Sequence, residues 1–376
     1  MQNEMKIELA IFKHSMPLGG AETLILQHLD HIDRSKFSVH FITQTKKGRL
    51  LASAKEKSDY YYCLRRRSVL DLISILRLRK YLVEKSIDIV HSHDWISTLY
   101  LLIASRGLNV KIFNTTHAQD QSWRNYVNLK ILKKCDVNVI CVSKSQRIDL
   151  FARGILWQNM SVVHNCYDTT TFKKSIKPVY FENKGTFKVV MVGNYYWQKD
   201  QKTLIEATNI INKEGYKIEL HLVGSSNTIR SKQLRLLAKN LSMDSFIHFH
   251  DDIIVNSDFL SQFHLFVFSS KSETFGIVTI EAMASGLPVL VSDIPPNMEI
   301  IRFGSNGLYF ETGNQYKCAE KMLSIIKNPQ LQKTFENKSY ERAEDFSPEI
   351  VVRQLENQYL SQLDYDYSMN ANVNVG

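Results

Sequence analysis

The segment from Ser272 to Val289, SETFGIVTIEAMASGLPV, holds the residue types and spacing with the most chemical content. It follows the apolar run Leu265–Phe268 and opens a helix near Ile277. A strand–turn–helix junction presents backbone N–H groups without intrahelical partners, together with the positive end of the helix, which suits a diphosphate. Gly276 lets the backbone approach an anion closely. Glu273 and Glu281 lie eight residues apart. With Glu273 in the turn and Glu281 on the second helical turn, both carboxylates face one side. Two carboxylates bind phosphate poorly but accept hydrogen bonds well from sugar hydroxyls. The same spacing also fits a helix-terminal Glu followed by a solvated one.

Other residues carry weaker signals. His91-Ser-His93-Asp94 has metal-ligand character, because two His at alternate strand positions share a face. No further His or Asp follows in evident register, so a lining role at a strand end is the simpler reading and no metal is expected. His248-Phe-His250-Asp251 repeats the spacing and reads as a strand and its loop. Arg65-Arg-Arg67 precedes Val69–Leu82, which carries Arg77, Arg79 and Lys80. That combination fits a basic amphipathic surface for anionic lipid or, more simply, a packed helix with a solvated basic face. Trp123-Arg124 and Tyr195-Tyr196-Trp197 could stack on bases or sugars, or could serve as core and rim residues.

The elements that must position these residues show a repeating rhythm. Lys6–Phe12, Ser38–Thr43, Ile87–His91, Lys111–Thr115 and Val137–Val142 read as strands, with helical spacing between them, as in Ala21–Leu29 and Val69–Leu82. The pattern restarts at Phe187–Val192, Ile218–Val223, Ile247–His250, Leu265–Ser269 and Pro288–Ser292, separated by helices over Thr203–Glu214, Ser231–Leu241 and Ile277–Ser285. Alternating strands and helices predict an α/β chain with parallel sheets covered on both faces. The expected division is a first domain over residues 1–172, a second over 173–347 and a final helix at about 348–365 that crosses back to the first. A polar, Lys-rich linker is expected near Thr171–Lys184, and a disordered tail over 366–376.

With 376 residues, 44% hydrophobic and 23% charged, the chain can bury full cores in two domains. Its five Cys are scattered without a C-x-x-C, which argues against a disulfide framework or a Cys-based zinc site and fits a reducing compartment. No apolar run reaches the length of a membrane span, and the first residues do not read as a secretory signal. A cytoplasmic location, possible at the inner face of the membrane, is expected. The net charge of +9 is uneven. Residues 1–180 hold 28 Lys and Arg against 15 Asp and Glu, and the remainder hold 19 against 23. A basic first half attracts an anionic membrane or a phosphorylated substrate. No nucleic-acid module accompanies the charge, so nucleic acid is not an expected partner.

Taken together, the motifs resemble those of the retaining GT-B glycosyltransferases of the large family-4 group. ETFGIVTIEAMASGLPV resembles that family's E-x7-E signature. Pro17-Leu-Gly-Gly-Ala-Glu22 is similar to its glycine loop, Asp88-Ile-Val-His-Ser-His93 to its D-I-V-H-x-H strand and Thr116-His117 to its T-x-H element. Cys141-Val-Ser-Lys-Ser145, Val163–Phe172, Val192–Lys199 and Leu222-Val-Gly224 resemble four further elements in the family's order. The resemblance spans nearly the whole chain.

It implies a GT-B fold, two Rossmann-like doubly wound domains facing across a cleft that holds a nucleotide-sugar, with UDP expected first and GDP second. It implies transfer of a hexose or N-acetylhexosamine with retention to a lipid-linked or polysaccharide acceptor in bacterial surface-polysaccharide assembly. No cofactor and no metal at the diphosphate are implied. Carried over by position, His117, Lys199 and Glu273 are the catalytic group, with His117 beside the reacting sugar and Lys199 on the diphosphate. Gly19, Gly20, Asn194, Gly224, Phe275, Gly276, Ile277, Val278 and Glu281 bind the donor, Glu281 through the ribose. His248-Phe-His250-Asp251 is read, from its spacing, as a strand and loop near that nucleotide. Two departures stand out: Asn194 occupies the place of the family's usual Arg, and Asp200 that of its usual Gly. His164 and Cys166 also replace the usual Pro and Gly around Asn165. Asn194 leaves open a non-catalytic GT-B protein that binds membrane or a partner. A nucleotide-sugar epimerase is a second rival, opposed by the paired Glu and the glycine loop.

Overall fold

The computed structural model describes residues 6–69, 71–117, 123–173, 185–225 and 228–373. Two compact units emerge, one of Met1–Cys166 with Pro348–Gly376, the other of Tyr167–Ser347.

The first unit runs β1 (Ile7–Lys13), α1 (Gly20–His31), β2 (Phe37–Thr43), α2 (Leu51–Glu56), β3 (Tyr60–Cys63), α3 (Leu72–Glu84), β4 (Ile89–Ser92), α4 (Trp95–Ala104), β5 (Lys111–Thr115), α5 (Trp123–Lys134), β6 (Asn138–Cys141), α6 (Lys144–Ala152) and β7 (Met160–Val162). Its strands form one parallel sheet in the order β3-β2-β1-β4-β5-β6-β7. Leu9 to Phe12 of β1 are fully buried, as expected of a central strand covered on both faces. Several of the sequence motifs are helix starts. Asp94 accepts from Ser97 N at 2.8 Å to cap α4, and Ser143 accepts from Gln146 N at 3.1 Å to cap α6.

The second unit runs β8 (Phe187–Val192), α7 (Gln201–Lys213), β9 (Ile218–Gly224), α8 (Ile229–Asn240), β10 (Ile247–Asp251), α9 (Ser257–Leu260), β11 (Leu265–Phe268), α10 (Ile277–Ala284), β12 (Val289–Ser292), α11 (Pro295–Ile300), β13 (Leu308–Phe310), α12 (Gln315–Ile326) and α13 (Pro329–Glu344). Its parallel sheet has the order β10-β9-β8-β11-β12-β13. The expected strands are all present, and β3, β7 and β13 join them at the sheet edges.

The last helix, α14 (Pro348–Val373), belongs to the first unit. Val351, Val352, Leu355 and Tyr359 enter one core with Leu24 and Ile25 of α1 and Leu9 and Ile11 of β1. Burial of each such side chain contributes about 1.5–3 kcal/mol, enough to fix the helix there. Tyr359 Oη also lies 2.6 Å from His91 Nδ1, both buried. The helix continues through Asp366 to Val373, where an unstructured tail was expected; no Gly or Pro intervenes to stop it.

The division after Cys166 precedes the expected limit at 172. Tyr167 N donates to Phe346 O at 3.3 Å, Ser257 N donates to Thr171 O at 3.3 Å and Lys173 N donates to Ser257 Oγ at 2.7 Å. These bonds tie residues 167–173 into the second unit. The expected linker lies outside the described residues from 174 to 184.

The helix read over Val69–Leu82 is α3, capped by Asp71, which accepts from Ser74 N at 3.1 Å. Its outer face carries exposed Arg77 and Lys80, as expected, but apolar residues stand among them. Leu72, Ile73, Leu76 and Val83 are all more than half exposed. Arg77 and Arg79 donate to backbone carbonyls, Arg77 to Leu64 O at 3.2 Å and Arg79 to Ala104 O at 2.9 Å.

Candidate active site

In the second unit, β8 and β11 pair side by side, and the loops after them build a polar cluster around the expected residues. After β8 the chain passes Gly193–Tyr196 and makes a short turn at Trp197–Lys199 before α7. Tyr195 is fully buried and its hydroxyl donates to Leu222 O at 3.0 Å. It is a core residue, which removes it from the aromatic set that could stack on a ligand. Tyr196 and Trp197 remain exposed. The Trp197 face is covered by the Arg230 guanidinium, 3.7 Å from the ring centroid.

Lys199 Nζ donates to Glu273 Oε1 at 2.5 Å. Ser270 Oγ donates to the same oxygen at 2.7 Å. The two loops are stitched together around this pair: Lys271 N donates to Gln198 O at 2.6 Å, and Ser269 Oγ to Asp200 O at 2.9 Å. Asp200 adopts φ +47°, the left-handed region where the resemblance leads one to expect Gly. Asp tolerates that region better than most residues. Here its carboxylate is held by Thr203 Oγ1 at 2.6 Å and Lys271 Nζ at 3.0 Å. Asn194 is exposed, and its carbonyl accepts from Gln201 Nε2 at 3.2 Å.

Gly276 precedes α10 with φ +103°, and no side chain caps the helix. The Ile277 and Val278 end of α10 therefore offers N–H groups to a ligand anion. The Phe275 side chain turns inward against Phe346. Glu281, one turn further on, is half-buried. Burial first, and the Asp168 charge second, push its carboxyl up to about 7. Gly224, at the end of β9, has no room for a Cβ, which would lie 2.8 Å from Gly193 O and 3.0 Å from the Tyr195 ring.

The first unit gathers a second cluster at the ends of β1, β4 and β5. His93 Nδ1 lies 3.1 Å from His117 Nε2, and the rings stack at 5.4 Å. His91 stacks on His93 at 4.2 Å, and His28 of α1 lies 6.1 Å from it. Burial, followed by the nearby Lys13 and His28 charges, pushes His117 down to about 3, so it is neutral at physiological pH. Lys13 Nζ donates to His93 O at 3.2 Å and pairs with Glu22 at 3.2 Å. Gly19 lies against Glu22: a Cβ there would fall 2.6 Å from the carboxylate. A Cβ on Gly20 would meet no atom within 4 Å, leaving its backbone open to approach. Both nitrogens of His91 are engaged, Nδ1 by Tyr359 and Nε2 by Thr115 Oγ1 at 2.7 Å, which argues against a His91–His93 metal site.

Lys199, Glu273, Gly193 and Asp200 thus meet in one unit, with Glu281 on the adjoining helix; His117, Gly19 and Gly20 belong to the other. Residues 118–122, beyond His117, and the Trp123 and Arg124 side chains lie outside the described residues. Sequence reading missed Arg230 and Lys271, whose basic type alone did not separate them from surface cations.

Comparison with known proteins reproduces this two-part layout. The family described as Glycosyltransferase Family 4 matches residues 18–171, and that described as Glycosyl transferases group 1 matches residues 172–342. The chain belongs to the family-4 glycosyltransferases. It is therefore an enzyme, which sets aside the non-catalytic and epimerase rivals. This glycosyltransferase is 22% identical over 385 residues to the capsular polysaccharide biosynthesis glycosyltransferase CapM of Staphylococcus aureus, covering 96% of this chain and 97% of that one. It is 24% identical to N-acetyl-alpha-D-glucosaminyl L-malate synthase of Bacillus anthracis, covering 79% and 80% of the two chains. Among solved structures, Anabaena HepE in complex with UDP superposes with a TM-score of 0.82 at 18% identity, over 95% of this glycosyltransferase and 100% of HepE. The shared architecture is the GT-B fold of two Rossmann-like domains. Among its described residues, no helix is long and apolar enough to cross a membrane.

Proposed function

We propose that this glycosyltransferase moves a hexose or N-acetylhexosamine from a UDP-sugar, with retention, to a lipid-linked or polysaccharide acceptor in bacterial surface-polysaccharide assembly. The observation that carries the donor assignment is the Lys199–Glu273 pair beside the uncapped N-terminus of α10. A cation and a row of backbone N–H groups converge there, as a diphosphate requires. The UDP complex of HepE favours uridine over guanosine. The relationship to CapM favours a capsule-like product.

In this reading the diphosphate replaces Glu273 as the partner of Lys199, and Glu273 turns its carboxylate to the donor sugar. The bond between the anomeric carbon and the phosphate oxygen breaks, and its electron pair leaves with UDP. Lys199 and the α10 N–H groups stabilise that charge. The acceptor hydroxyl attacks from the face the phosphate leaves, and its proton passes to the departing phosphate oxygen. Arg230, stacked on Trp197 within the electrostatic reach of Asp200, supplies the second cation that Asn194 does not. No metal takes part at the diphosphate. The exposed apolar face of α3, beside Arg65 and Arg67, lies against anionic lipid and brings the enzyme to a membrane-held acceptor.

Incubation with labelled UDP-glucose, UDP-galactose, UDP-N-acetylglucosamine and GDP-mannose, each with chelator and bacterial lipid extract, tests the proposal. Transfer from a UDP-sugar, with the product anomer matching the donor by NMR, is the expected result. An inverted anomer, a GDP preference or dependence on added metal would overturn the corresponding element.

A further inference from the structure

At one edge of the second sheet, β9 and β10 bring together side chains that sugar transfer does not use. The strands pair in parallel with His221 opposite His248. Glu219 stands two residues before His221 and His250 two after His248, so all four side chains leave the same face. One ligand atom from each of Glu219, His221 and His248 lies within 4.8 Å of the others. The Nε2 atoms of His221 and His248 are buried and have no hydrogen-bond partner. Their rings lie 4.6 Å apart, and buried polar atoms without partners are costly unless something engages them.

The surroundings suit a cation ligand set. His221 Nδ1 lies 2.9 Å from His250 Nε2, the contact that orients a ligating imidazole through its other nitrogen. Phe263 packs edge-on against His221 at 4.8 Å, and Phe259 against His250 at 5.5 Å, walling the cluster on one side. Glu219 keeps partial exposure and gives an entry path. Lys188, opposite Glu219 on β8, is the nearby positive charge that works against a cation.

We propose that Glu219, His221 and His248 bind one divalent transition-metal ion, zinc foremost, with His250 orienting His221. Two His and one Glu with a fourth position for water form a well-attested zinc ligand set. Ligand distances of about 2.0–2.2 Å draw the three side chains inward from their present span. The ion clips edge strand β10 to β9 and takes no part at the diphosphate.

Chelator-treated full-length protein titrated with Co(II) tests this. One equivalent is expected, with visible bands of a low-coordinate ion that zinc bleaches, and with a raised unfolding temperature. His248→Gln and Glu219→Gln are each expected to weaken binding at least tenfold, while circular dichroism shows the fold retained. Glu219 is partly exposed, so its variant remains informative if His248→Gln does not fold. His93→Gln serves as the control for the other histidine cluster and is expected to bind normally. No saturable binding, binding unchanged in both edge variants, or binding lost only in His93→Gln would overturn the proposal.

Discussion

Lys199 Nζ sits 2.5 Å from Glu273 Oε1, although the two residues are 74 positions apart. The loops that carry them meet because they follow β8 and β11, which are neighbours in the sheet. The pair is only partly exposed, and Ser270 adds a hydrogen bond to the same carboxylate oxygen. The Lys199 ammonium is therefore already oriented, and in the proposed mechanism the diphosphate displaces Glu273 from it.

Lys199→Ala removes the cation while leaving Ser270 to hold Glu273. Turnover is expected to fall about 10²-fold or more, the scale for losing one group that stabilises developing charge. Thermal unfolding is expected to shift by no more than about 4 °C. Steady-state UDP release, read with the unfolding midpoint, checks both; near-normal turnover would remove Lys199 from the mechanism.

Glu281 gives a pH signature. Burial and then Asp168 raise its carboxyl from 4.5 to about 7, so the folded form keeps a proton that the unfolded chain has lost. Its contribution to stability is therefore full below about 4.5 and lost as pH rises through 7. Glu281→Gln is expected to raise the ligand-free unfolding temperature at about pH 8 by roughly 2 °C or more. The gain should shrink toward about pH 5. UDP affinity of the native enzyme should weaken as the carboxylate takes up its proton below about 7, and the variant should lose that dependence. Calorimetric titration across this range decides it.

Two glycines should respond in opposite ways. Gly224→Ala forces a Cβ against Gly193 O and the Tyr195 ring, and is expected to cost about 1–3 kcal/mol in urea unfolding. Gly20→Ala meets no neighbour within 4 Å and should leave stability nearly unchanged. Because its open backbone is proposed to face the donor, KM for the UDP-sugar should rise severalfold.

The exposed face of α3 separates lipid contact from packing. Ile73→Glu and Leu76→Glu alter residues 60% and 65% exposed, so the fold should tolerate both. Sedimentation with vesicles containing anionic lipid should show binding by the native chain and its loss in the double variant, with unfolding unchanged. Equal sedimentation of both would sink membrane contact through α3.

The strand–helix rhythm was legible because strands such as β1 and β8 are long apolar runs buried on both faces. β3, β7 and β13 were not, since each has three or four residues at or near a sheet edge, where burial is incomplete and alternation blurs. The residues of the proposed diphosphate site were legible through family resemblance, and the Lys199–Glu273 pairing was not. Sequence cannot say that β8 and β11 are neighbours, or that Tyr195 points inward while Trp197 points out. The same limit hid the edge cluster. His221 and His248 became opposite one another only through the register of β9 and β10. The apolar share of the outward face of α3 was not legible either: Leu72, Ile73 and Leu76 are exposed among Arg77 and Lys80.

The membership of α14 in the first unit bears on how the protein is made. Translation delivers residues 1–166 long before Val351, Leu355 and Tyr359 exist, so the nascent first unit shows water an open apolar furrow along α1 and β1. The second unit is one uninterrupted stretch and can complete its core while the ribosome is still finishing the chain. The first unit matures after the second, closed by a helix that follows the second in the chain. A released chain truncated before Pro348 should therefore hold a protease-resistant second unit beside a protease-sensitive, chaperone-binding first one.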